Sequence, residues 1–374
     1  MGKDNRGSNP STTTKYQLIA KAAGRCQYCN KYLFTEKVSL EDNNDSNLAH
    51  IVASSPNGPR GSEELSQKLS DKIENLMLMC TEHHHLIDQH PDIYTVEVLT
   101  NMKQDREQRV YELVDTCTLK ETEVVMFLSP IKGITPVSIS MKDAVQAFLL
   151  KYVPANTKGV FIQFNSSSQY RSLEYWKQAI QFLEYKFNQI VVTALQYNPQ
   201  MHFSVFPLAP IPLIIKLGDL FQDKISADVY QKTRSPDTWK WLSGKQTNKF
   251  TLEKHGGSVA NPKIALILDL TAEIAVERVQ QVMAADIIYR IRPERSGVDC
   301  ISSEKDLNAF WHMYQMTLDE IRNNYPNVKE ISLFPAIPVS AAFEVGRRNM
   351  PGVYPKIKIY DEDNGFFETI TIGG

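Results

Sequence analysis

Short, continuous runs of apolar residues recur through the last two thirds of the chain, and apolar residues between them are spaced as in helices. The runs predict buried strands at 159–164, 190–195, 202–206, 263–270, 286–291 and 331–334. The helical spacing predicts helices at 172–187 and 304–323. Strands that are apolar throughout are typical of parallel sheets covered on both faces, so the pattern predicts an α/β fold.

The first third of the chain has a different pattern. A polar start predicts a flexible tail over residues 1–14. Turn-forming residues fill the loop 54–61, directly after a short strand-like run. We place a first domain at 15–115, a linker at 116–125 and a second domain at 126–374.

The second domain contains an internal repeat. A Phe-Pro-x-x-Pro motif followed by a glycine occurs twice with an offset of 128 residues, at Phe206-Pro207, Pro210 and Gly218 and at Phe334-Pro335, Pro338 and Gly346. Four matched positions are few enough to arise by chance, but each copy also follows an apolar strand and leads to another one, which favours duplication. We assign the copies to about 150–235 and 260–365 and expect a ligand crevice between them, at the strand C-terminal ends.

Composition and charge exclude several classes of protein. The 374 residues are 42% hydrophobic and 22% charged, as in a soluble protein of two or three domains. A net charge of −2, with 14 Lys and Arg against 19 Asp and Glu in residues 1–125, excludes a protein that coats DNA by charge alone. The longest apolar stretch, 203–215, contains three prolines, and the N-terminus has no signal-peptide core. We expect a cytoplasmic protein without a membrane partner.

Cysteine and histidine are concentrated in the first domain. Three of the five cysteines and five of the eight histidines lie within residues 26–90. An odd number of cysteines without an export signal does not suggest disulfides. Cys26 and Cys29 form one pair, and Cys80 and His83 form a second pair with the same spacing. Two such pairs predict a structural zinc site, with ordinary core cysteines as the alternative.

Other polar residues accompany these ligands, and together they resemble a known family. The segments Cys26-x-x-Cys29, Ala49-His50-Ile51, Asn75-Leu76 and Cys80-x-x-His83-His84 with Ile87-Asp88 resemble the zinc-stapled HNH (ββα-metal) endonucleases over residues 15–112. The resemblance implies an α+β, zinc-stapled ββα-metal domain that hydrolyses DNA phosphodiester bonds.

Each catalytic task then has a candidate residue. His50 is the expected general base, because a neutral imidazole titrates near the working pH. His84 would hold a catalytic divalent cation, Mg2+ or a similar ion, which stabilises the leaving oxygen. In this family Asn75 fixes the loop and orients the catalytic histidine.

The second ligand of the catalytic ion is open. Many relatives carry an acidic residue or a histidine directly before the base, where Ala49 stands here. The ion could be held by fewer side chains, by Asn47, or with phosphate oxygens completing its shell. We expect Asp88 to support a histidine, with metal contact as the alternative.

The second domain carries a resemblance of its own. The segments 331–347 and 265–271 resemble the SAVED sensor domain, and the resemblance covers about residues 125–374. It implies an α/β SAVED domain of two fused CARF-like Rossmannoid units, which agrees with the repeat. An HNH nuclease joined to SAVED resembles the effectors of CBASS, the bacterial anti-phage defence systems.

The combined resemblance implies a ligand-gated enzyme. A cyclic dinucleotide would bind SAVED, homo-oligomers (dimers, or tetramers when activated) would rearrange, and the HNH domains would degrade double-stranded DNA without sequence specificity. Because the first domain is acidic, we expect it to bind DNA poorly until such an assembly aligns several copies.

The ligand needs aromatic faces for its bases and cationic or N–H partners for its phosphates. The candidates are Trp239, Lys240, Thr271, Phe334, Pro335, Ala336 and Pro338. Trp239 and Trp241 are equally compatible with a place in the core.

Two other functions stay open. The protein could be a sensor with a zinc module and no catalysis, or a restriction-type HNH nuclease that reads modified DNA. His50 and Asn75 favour the nuclease, because a zinc knuckle uses neither residue.

Overall fold

The protein is described from a computed structural model. It describes residues 7–35, 44–114, 119–132, 134, 138–149, 151–242, 247–257 and 259–373. The chain forms two compact units, Met1–Thr118 and Leu119–Gly374, which we call the N-terminal unit and the C-terminal unit.

The N-terminal unit is built on a two-stranded antiparallel sheet. Strand β1 (Ser46–His50) pairs with β2 (Leu76–Cys80), and His50 lies opposite Leu76. Every residue of β2 is buried, since this apolar strand forms the centre of the unit's core. The helices are α1 (Thr12–Lys21), α2 (Ser66–Leu69), α3 (Thr81–Gln89) and α4 (Val96–Val114), with a 3-10 turn at Ile73–Asn75.

The predicted tail over residues 1–14 is wrong for its second half. Helix α1 begins at Thr12, because the hydroxyl of Ser11 accepts a hydrogen bond from the backbone N–H of Thr14 (3.1 Å) and caps the first turn. The backbone N–H of Ser11 donates to Asp71 Oδ1 (2.6 Å), which ties this turn to the rest of the unit.

The C-terminal unit contains two sheets and confirms the predicted α/β class. The strands of the first sheet are β3 (Lys120–Leu128), β4 (Tyr152–Pro154), β5 (Val160–Gln163), β6 (His202–Leu208) and β7 (Ala227–Val229). A short hairpin of β8 (Thr233–Arg234) and β9 (Asp237–Thr238) follows. The strands of the second sheet are β10 (Phe250–Gly256), β11 (Ile264–Asp269), β12 (Ile287–Pro293), β13 (Glu330–Ala336), β14 (Lys356–Glu362) and β15 (Phe366–Ile372).

The helices of this unit cover the sheets. They are α5 (Met141–Phe148), α6 (Leu173–Phe187), α7 (Thr193–Tyr197), α8 (Ile211–Phe221), α9 (Val276–Gln280), α10 (Glu304–Asn324) and α11 (Val339–Arg347). The first sheet is parallel, with the order β4-β3-β6-β7 and β5 also paired to β3. The second has the order β10-β12-β11-β13-β14-β15, and only its outer strands β10 and β15 are antiparallel to their neighbours.

Two predictions for this part of the chain are wrong. The predicted linker 116–125 overlaps β3, the strand to which β4, β5 and β6 all pair, while residues 115–118 lie outside the described residues. The strand begins with the exposed, charged residues Lys120 and Glu121, so its apolar run starts only after them and its beginning resembles a linker. The strand predicted at 190–195 is helical, because neither glycine nor proline interrupts the chain after α6 and a π-turn leads directly into α7.

The two copies of the repeat have matching structures. In each copy a central strand (β3 or β11), the Phe-Pro strand (β6 or β13) and a third strand (β7 or β14) lie side by side and parallel. Phe206 stacks on Tyr230 and Phe334 stacks on Tyr360, with ring centroids 4.6 and 4.5 Å apart. The first copy therefore includes β3, which the predicted range 150–235 leaves out.

The motif glycines lie where the two copies touch. Helix α8 packs against α11. Gly218 of α8 faces the backbone of α11, and Gly346 of α11 faces the backbone of α8. A Cβ atom on Gly218 would overlap the carbonyl oxygen of Phe343, and one on Gly346 would overlap that of Ile215. Only a hydrogen atom fits at either position, so the repeated glycine permits the closest approach of the two helices.

We expect Gly346→Ala to lower the free energy of unfolding of the C-terminal unit by about 1–3 kcal/mol, because the added methyl group overpacks a backbone contact. Denaturation followed by tryptophan fluorescence measures this unit alone, since it contains all four tryptophans of the chain. Gly257→Ala is the matched control, because a Cβ there meets no atom within 4 Å. Equal midpoints for the two variants would contradict the role of the crossing.

Candidate functional site

Four potential metal ligands come together in the N-terminal unit. Cys26 and Cys29 lie on the turn after α1, Cys80 ends β2 and His83 lies in the first turn of α3. Their ligand atoms all lie within 4.8 Å of one another. Cys29 Sγ is 4.0 Å from Cys80 Sγ, which is 3.0 Å from His83 Nδ1. The structure thus brings all four predicted zinc ligands into one cluster.

The surroundings of this Cys/His cluster fix its shape. The backbone of Gln27 donates to the carbonyl of Leu78 (2.8 Å), and the Gln27 side chain accepts from the Leu78 N–H (2.8 Å), which holds the cysteine turn against β2. The ring of Tyr28 stacks on His83 at 4.2 Å. Both ligand pairs are therefore held from outside the cluster.

The chemistry of the donors fits a cation. Burial raises the pKa of the Cys80 thiol to about 12, and the nearby Cys26 charge adds to this rise. Without a cation the thiol would stay protonated at neutral pH. Three sulfurs and one imidazole nitrogen, all within 4.8 Å of one another, could hold a metal ion.

His50 lies at the end of β1 with its ring oriented by a backbone group. Its Nε2 is 3.0 Å from the carbonyl oxygen of Ser70. Because a carbonyl oxygen only accepts, this bond places the proton of the neutral ring on Nε2. The lone pair is then on Nδ1, the atom that could take a proton from water. No sequence pattern identifies Ser70, since it contributes only its backbone.

Asn75 acts on His50 indirectly. The buried amide accepts from the N–H of Val52 (2.8 Å) and donates to the Val52 carbonyl (2.9 Å) and to the Leu69 carbonyl (3.3 Å). It thereby holds the segment after His50 together with the turn whose Ser70 carbonyl contacts the ring. These bonds are of the loop-fixing kind that the resemblance implies for Asn75, and they all join its side chain to backbone groups.

His84 and Asp88 share a cleft with His50. The cleft has a volume of about 680 Å3, and its wall also includes Leu48, residues of the N-terminal segment 9–15 and loop residues between 53 and 59. His84 Nε2 lies 3.4 Å from Asp88 Oδ2, one helical turn along α3. Burial lowers the pKa of His84, against the opposing charge of Asp88, and so favours the neutral imidazole, whose unprotonated nitrogen can bind a metal ion. An imidazole and a carboxylate at this separation fit a divalent cation.

The neighbours of His50 on β1 face elsewhere. Successive side chains of a strand point to opposite faces, so Ala49 and Asn47 share the face opposite His50. Ala49 is buried in the core, and the Asn47 side chain donates to Thr81 Oγ1 (2.9 Å). The Asn47 side chain thus lies on the face opposite His50, so fewer side chains, phosphate oxygens and Asp88 remain as ways to complete the shell of the ion.

Arg60 also belongs to this site, although it is not among the residues predicted from the sequence. This residue follows Pro59 in the loop 54–61, yet only 4% of its side chain is exposed. It forms an ion pair with Asp88, Nη2 to Oδ1, at 2.7 Å. The sequence gives one sign of this role: Arg60 is a single arginine among turn-forming residues, ten positions after the candidate base His50.

The predicted ligand residues of the C-terminal unit fall into two groups. Trp239 is 3% exposed and packs edge-on against Phe206, and Phe334 is fully buried under Tyr360. Trp239 therefore offers no free face to a base, and its prediction as a stacking platform is wrong. Lys240 beside it is exposed.

The remaining candidates lie at the C-terminal ends of the strands. The Thr271 N–H donates to the Ala336 carbonyl (2.8 Å), which joins the ends of β11 and β13. Pro335 belongs to β13, and the buried Pro338 precedes the first turn of α11. These residues form the predicted turn after the Phe-Pro strand.

A pocket at the same edge of the sheets is lined by residues other than those predicted to bind the ligand. It has a volume of about 310 Å3 and is lined by Pro130, Lys132, Ser166, Ser168, Tyr170, Tyr175 and Asp363. The first six follow strands of the first copy, and Asp363 follows β14 of the second. The Tyr170 hydroxyl donates to Asp361, which ties the two copies together beside the pocket. None of the seven predicted ligand residues lines this pocket. Most of its wall is formed by loops, and the pattern of apolar strands does not predict where loops run.

One protein family matches the sequence. It is described as the SMODS-associated and fused to various effectors sensor domain, SAVED, and its match covers residues 184–372, about half of the chain. The chain belongs to the SAVED family. The match begins in α6 and includes α8, α11 and the whole second sheet, so it lies within the C-terminal unit.

Solved SAVED structures are similar at low identity. The Acinetobacter baumannii Cap4 SAVED/CARF-domain containing receptor with the cyclic trinucleotide 2'3'3'-cAAA is 11% identical, over 77% of this chain and 60% of that one, with a TM-score of 0.43. The same receptor with 3'3'3'-cAAA is 12% identical, over 84% and 68%, with a TM-score of 0.45. The Moraxella osloensis Cap4 receptor is 12% identical, over 77% and 60%, at 0.41. The chain thus spans about 60% of the length of the first of these receptors.

No curated protein matches the chain. Among the described residues, every helix is too short or too polar to span a lipid bilayer.

Proposed function

We propose that the protein is a DNA endonuclease gated by a cyclic oligonucleotide and that it acts in anti-phage defence. One observation carries this proposal: His50, His84 and Asp88 line a single cleft beside the Cys/His cluster. A zinc module without catalysis has no use for an oriented histidine facing that cleft. The SAVED unit supplies the sensor.

The chain's own residues suit phosphodiester hydrolysis. His50 Nδ1 takes a proton from the attacking water, while Nε2–H stays on the Ser70 carbonyl. The water oxygen forms a bond to phosphorus, and the bond from phosphorus to the leaving sugar oxygen breaks. His84 and Asp88 would hold a divalent cation, which when bound supplies positive charge beside the scissile phosphate.

The Cys/His cluster is proposed to hold zinc. Cys26, Cys29, Cys80 and His83 would join the turn after α1 to the start of α3, and α3 carries His84 and Asp88. The zinc would therefore be structural and would hold the helix of the catalytic cleft in place.

The pocket between the two copies is proposed to receive the ligand. The part-buried Tyr170, the Lys132 ammonium and serine hydroxyls suit a nucleotide, and a volume of about 310 Å3 fits one nucleotide of a cyclic di- or trinucleotide. Because residues of both copies line the pocket, a bound ligand would change the position of one copy relative to the other. Assembly of several copies would then align acidic N-terminal units on DNA.

The gating is tested by DNA degradation with Mg2+ over a panel of cyclic di- and trinucleotides. We expect one member to activate cleavage of double-stranded DNA and the others to leave it at background. Cleavage without any ligand would contradict the gating but not the nuclease. Ligand binding with no cleavage under any condition would favour a sensor without catalysis.

We expect Ser168→Trp to weaken binding of the activating nucleotide by about tenfold or more, since the indole fills the pocket and tenfold corresponds to about 1.4 kcal/mol. Isothermal titration calorimetry measures the change. Ser167→Trp is the matched control, because Ser167 is exposed and does not line the pocket. Equal affinities for both variants would place the ligand elsewhere.

A further inference from the structure

Arg60 occupies an unusual position for an arginine. Its backbone has φ +56°, in the left-handed region that favours glycine, and its side chain is almost fully buried. A non-glycine residue is strained in this conformation, so other contacts must hold it in place.

The guanidinium joins two elements of the catalytic cleft. On the β1 side, Nε donates to the Ile51 carbonyl (2.7 Å) and Nη2 to the His50 carbonyl (3.3 Å). On the α3 side, Nη1 donates to the Ile87 carbonyl (2.7 Å) and Nη2 to Asp88 Oδ1 (2.7 Å). Four bonds from one planar group leave little freedom between the strand end and the helix.

The contact with Asp88 also orients that carboxylate. Since Oδ1 is held by Arg60, Oδ2 is the oxygen that lies 3.4 Å from His84 Nε2. Arg60 thus contacts the backbone of the proposed base and the side chain beside the proposed metal ligand.

We propose that Arg60 is a positioning residue, which sets the spacing between His50 and the cation-holding pair of His84 and Asp88; this inference rests on the proposed nuclease function. Arg60 itself need not touch the substrate. A lysine would keep the charge but would lack the planar fork that reaches both elements at once. The fork, rather than the charge, is what the site requires.

The test is Mn2+ binding by the full-length, zinc-loaded protein, followed by electron paramagnetic resonance. We expect Arg60→Lys to weaken Mn2+ binding at the cleft by about tenfold or more, as is usual when a partner of a metal ligand is lost. Cleavage should need correspondingly more metal, with a lower kcat and an unchanged KM for DNA. In an Asp88→Asn background, Arg60→Lys should have little further effect, because its action passes through that carboxylate.

Two control variants separate positioning from stability. Arg109→Lys changes an exposed arginine of α4, and Lys103→Met breaks a buried ion pair with Glu107 that lies outside the cleft lining. Both should keep wild-type Mn2+ affinity. If Arg60→Lys loses zinc or helical circular dichroism, Arg60→Gln, which retains a planar donor, takes its place.

The outcomes distinguish this inference from the proposed function. Wild-type Mn2+ affinity and metal dependence in a folded Arg60 variant would overturn the positioning role while leaving the nuclease intact. A wild-type protein that never cleaves DNA would overturn the nuclease, and the Mn2+ measurement would still decide whether Arg60 shapes the metal site.

Discussion

His50→Ala is expected to lower ligand-activated DNA cleavage by about 10²–10⁴-fold, the usual contribution of a general base. The ring is held by the Ser70 carbonyl through Nε2, so its removal takes away the Nδ1 lone pair without disturbing a buried core. Zinc content and nucleotide binding should stay at wild-type values, because His50 is not in the Cys/His cluster. Cleavage rates at saturating ligand and Mg2+ measure the effect.

His90→Ala is the matched control for this prediction. His90 is exposed at the end of α3 and does not line the cleft, so its replacement should leave cleavage unchanged. A His50→Ala variant that cleaves DNA at the wild-type rate would remove the assignment of the base. Equal losses in both variants would indicate a general effect on the folding of the N-terminal unit rather than lost proton transfer.

The metal-ligand cluster could be predicted from the sequence because its geometry is local. A Cys-x-x-Cys turn and a Cys-x-x-His pair at a helix start each hold their two donors close together, whatever the rest of the fold does. Only the meeting of the pairs depends on tertiary structure. That meeting follows from β2, whose continuous apolar run ends at Cys80 in the core.

The supports of His50 could not be predicted in the same way. The Arg60 guanidinium and the Ser70 carbonyl reach the site from two separate segments, ten and twenty residues from His50. A backbone carbonyl leaves no trace in a residue pattern, and a buried arginine looks like any exposed one until its partners are known. Such contacts depend on loop paths, which hydrophobic periodicity does not determine.

The C-terminal unit shows the same division. The repeated glycines and Phe-Pro strands were visible, because close helix contacts and buried strands restrict residue type directly. Strand β3 was missed because its first residues are charged and exposed, although it is the strand that joins β4, β5 and β6. The place of Trp239 was open, since an aromatic side chain in a loop can face a ligand or fold back onto Phe206.

Cys80→Ser is expected to abolish zinc binding and to unfold the N-terminal unit. Metal binding contributes on the order of 10–16 kcal/mol in zinc-finger peptides, which is comparable to the whole stability of a typical domain, about 5–15 kcal/mol. Zinc content and the far-UV circular dichroism of the helices measure the loss. The tryptophan-fluorescence transition should be unchanged, because every tryptophan lies in the C-terminal unit. Prolonged chelation of the wild-type protein should give the same two results.

Cys300→Ser is the control with the opposite pattern. Cys300 is also buried, but it lies in the core of the C-terminal unit. A hydroxyl in that apolar site should lower the free energy of unfolding of the C-terminal unit by about 1–3 kcal/mol, as measured by tryptophan fluorescence. Zinc content should be unchanged. A Cys80→Ser protein with one tightly bound zinc and wild-type circular dichroism would contradict the structural zinc site. Loss of zinc without loss of helices would instead mean that the buried strand β2 is enough to hold the N-terminal unit together, and that the metal adjusts only the cleft.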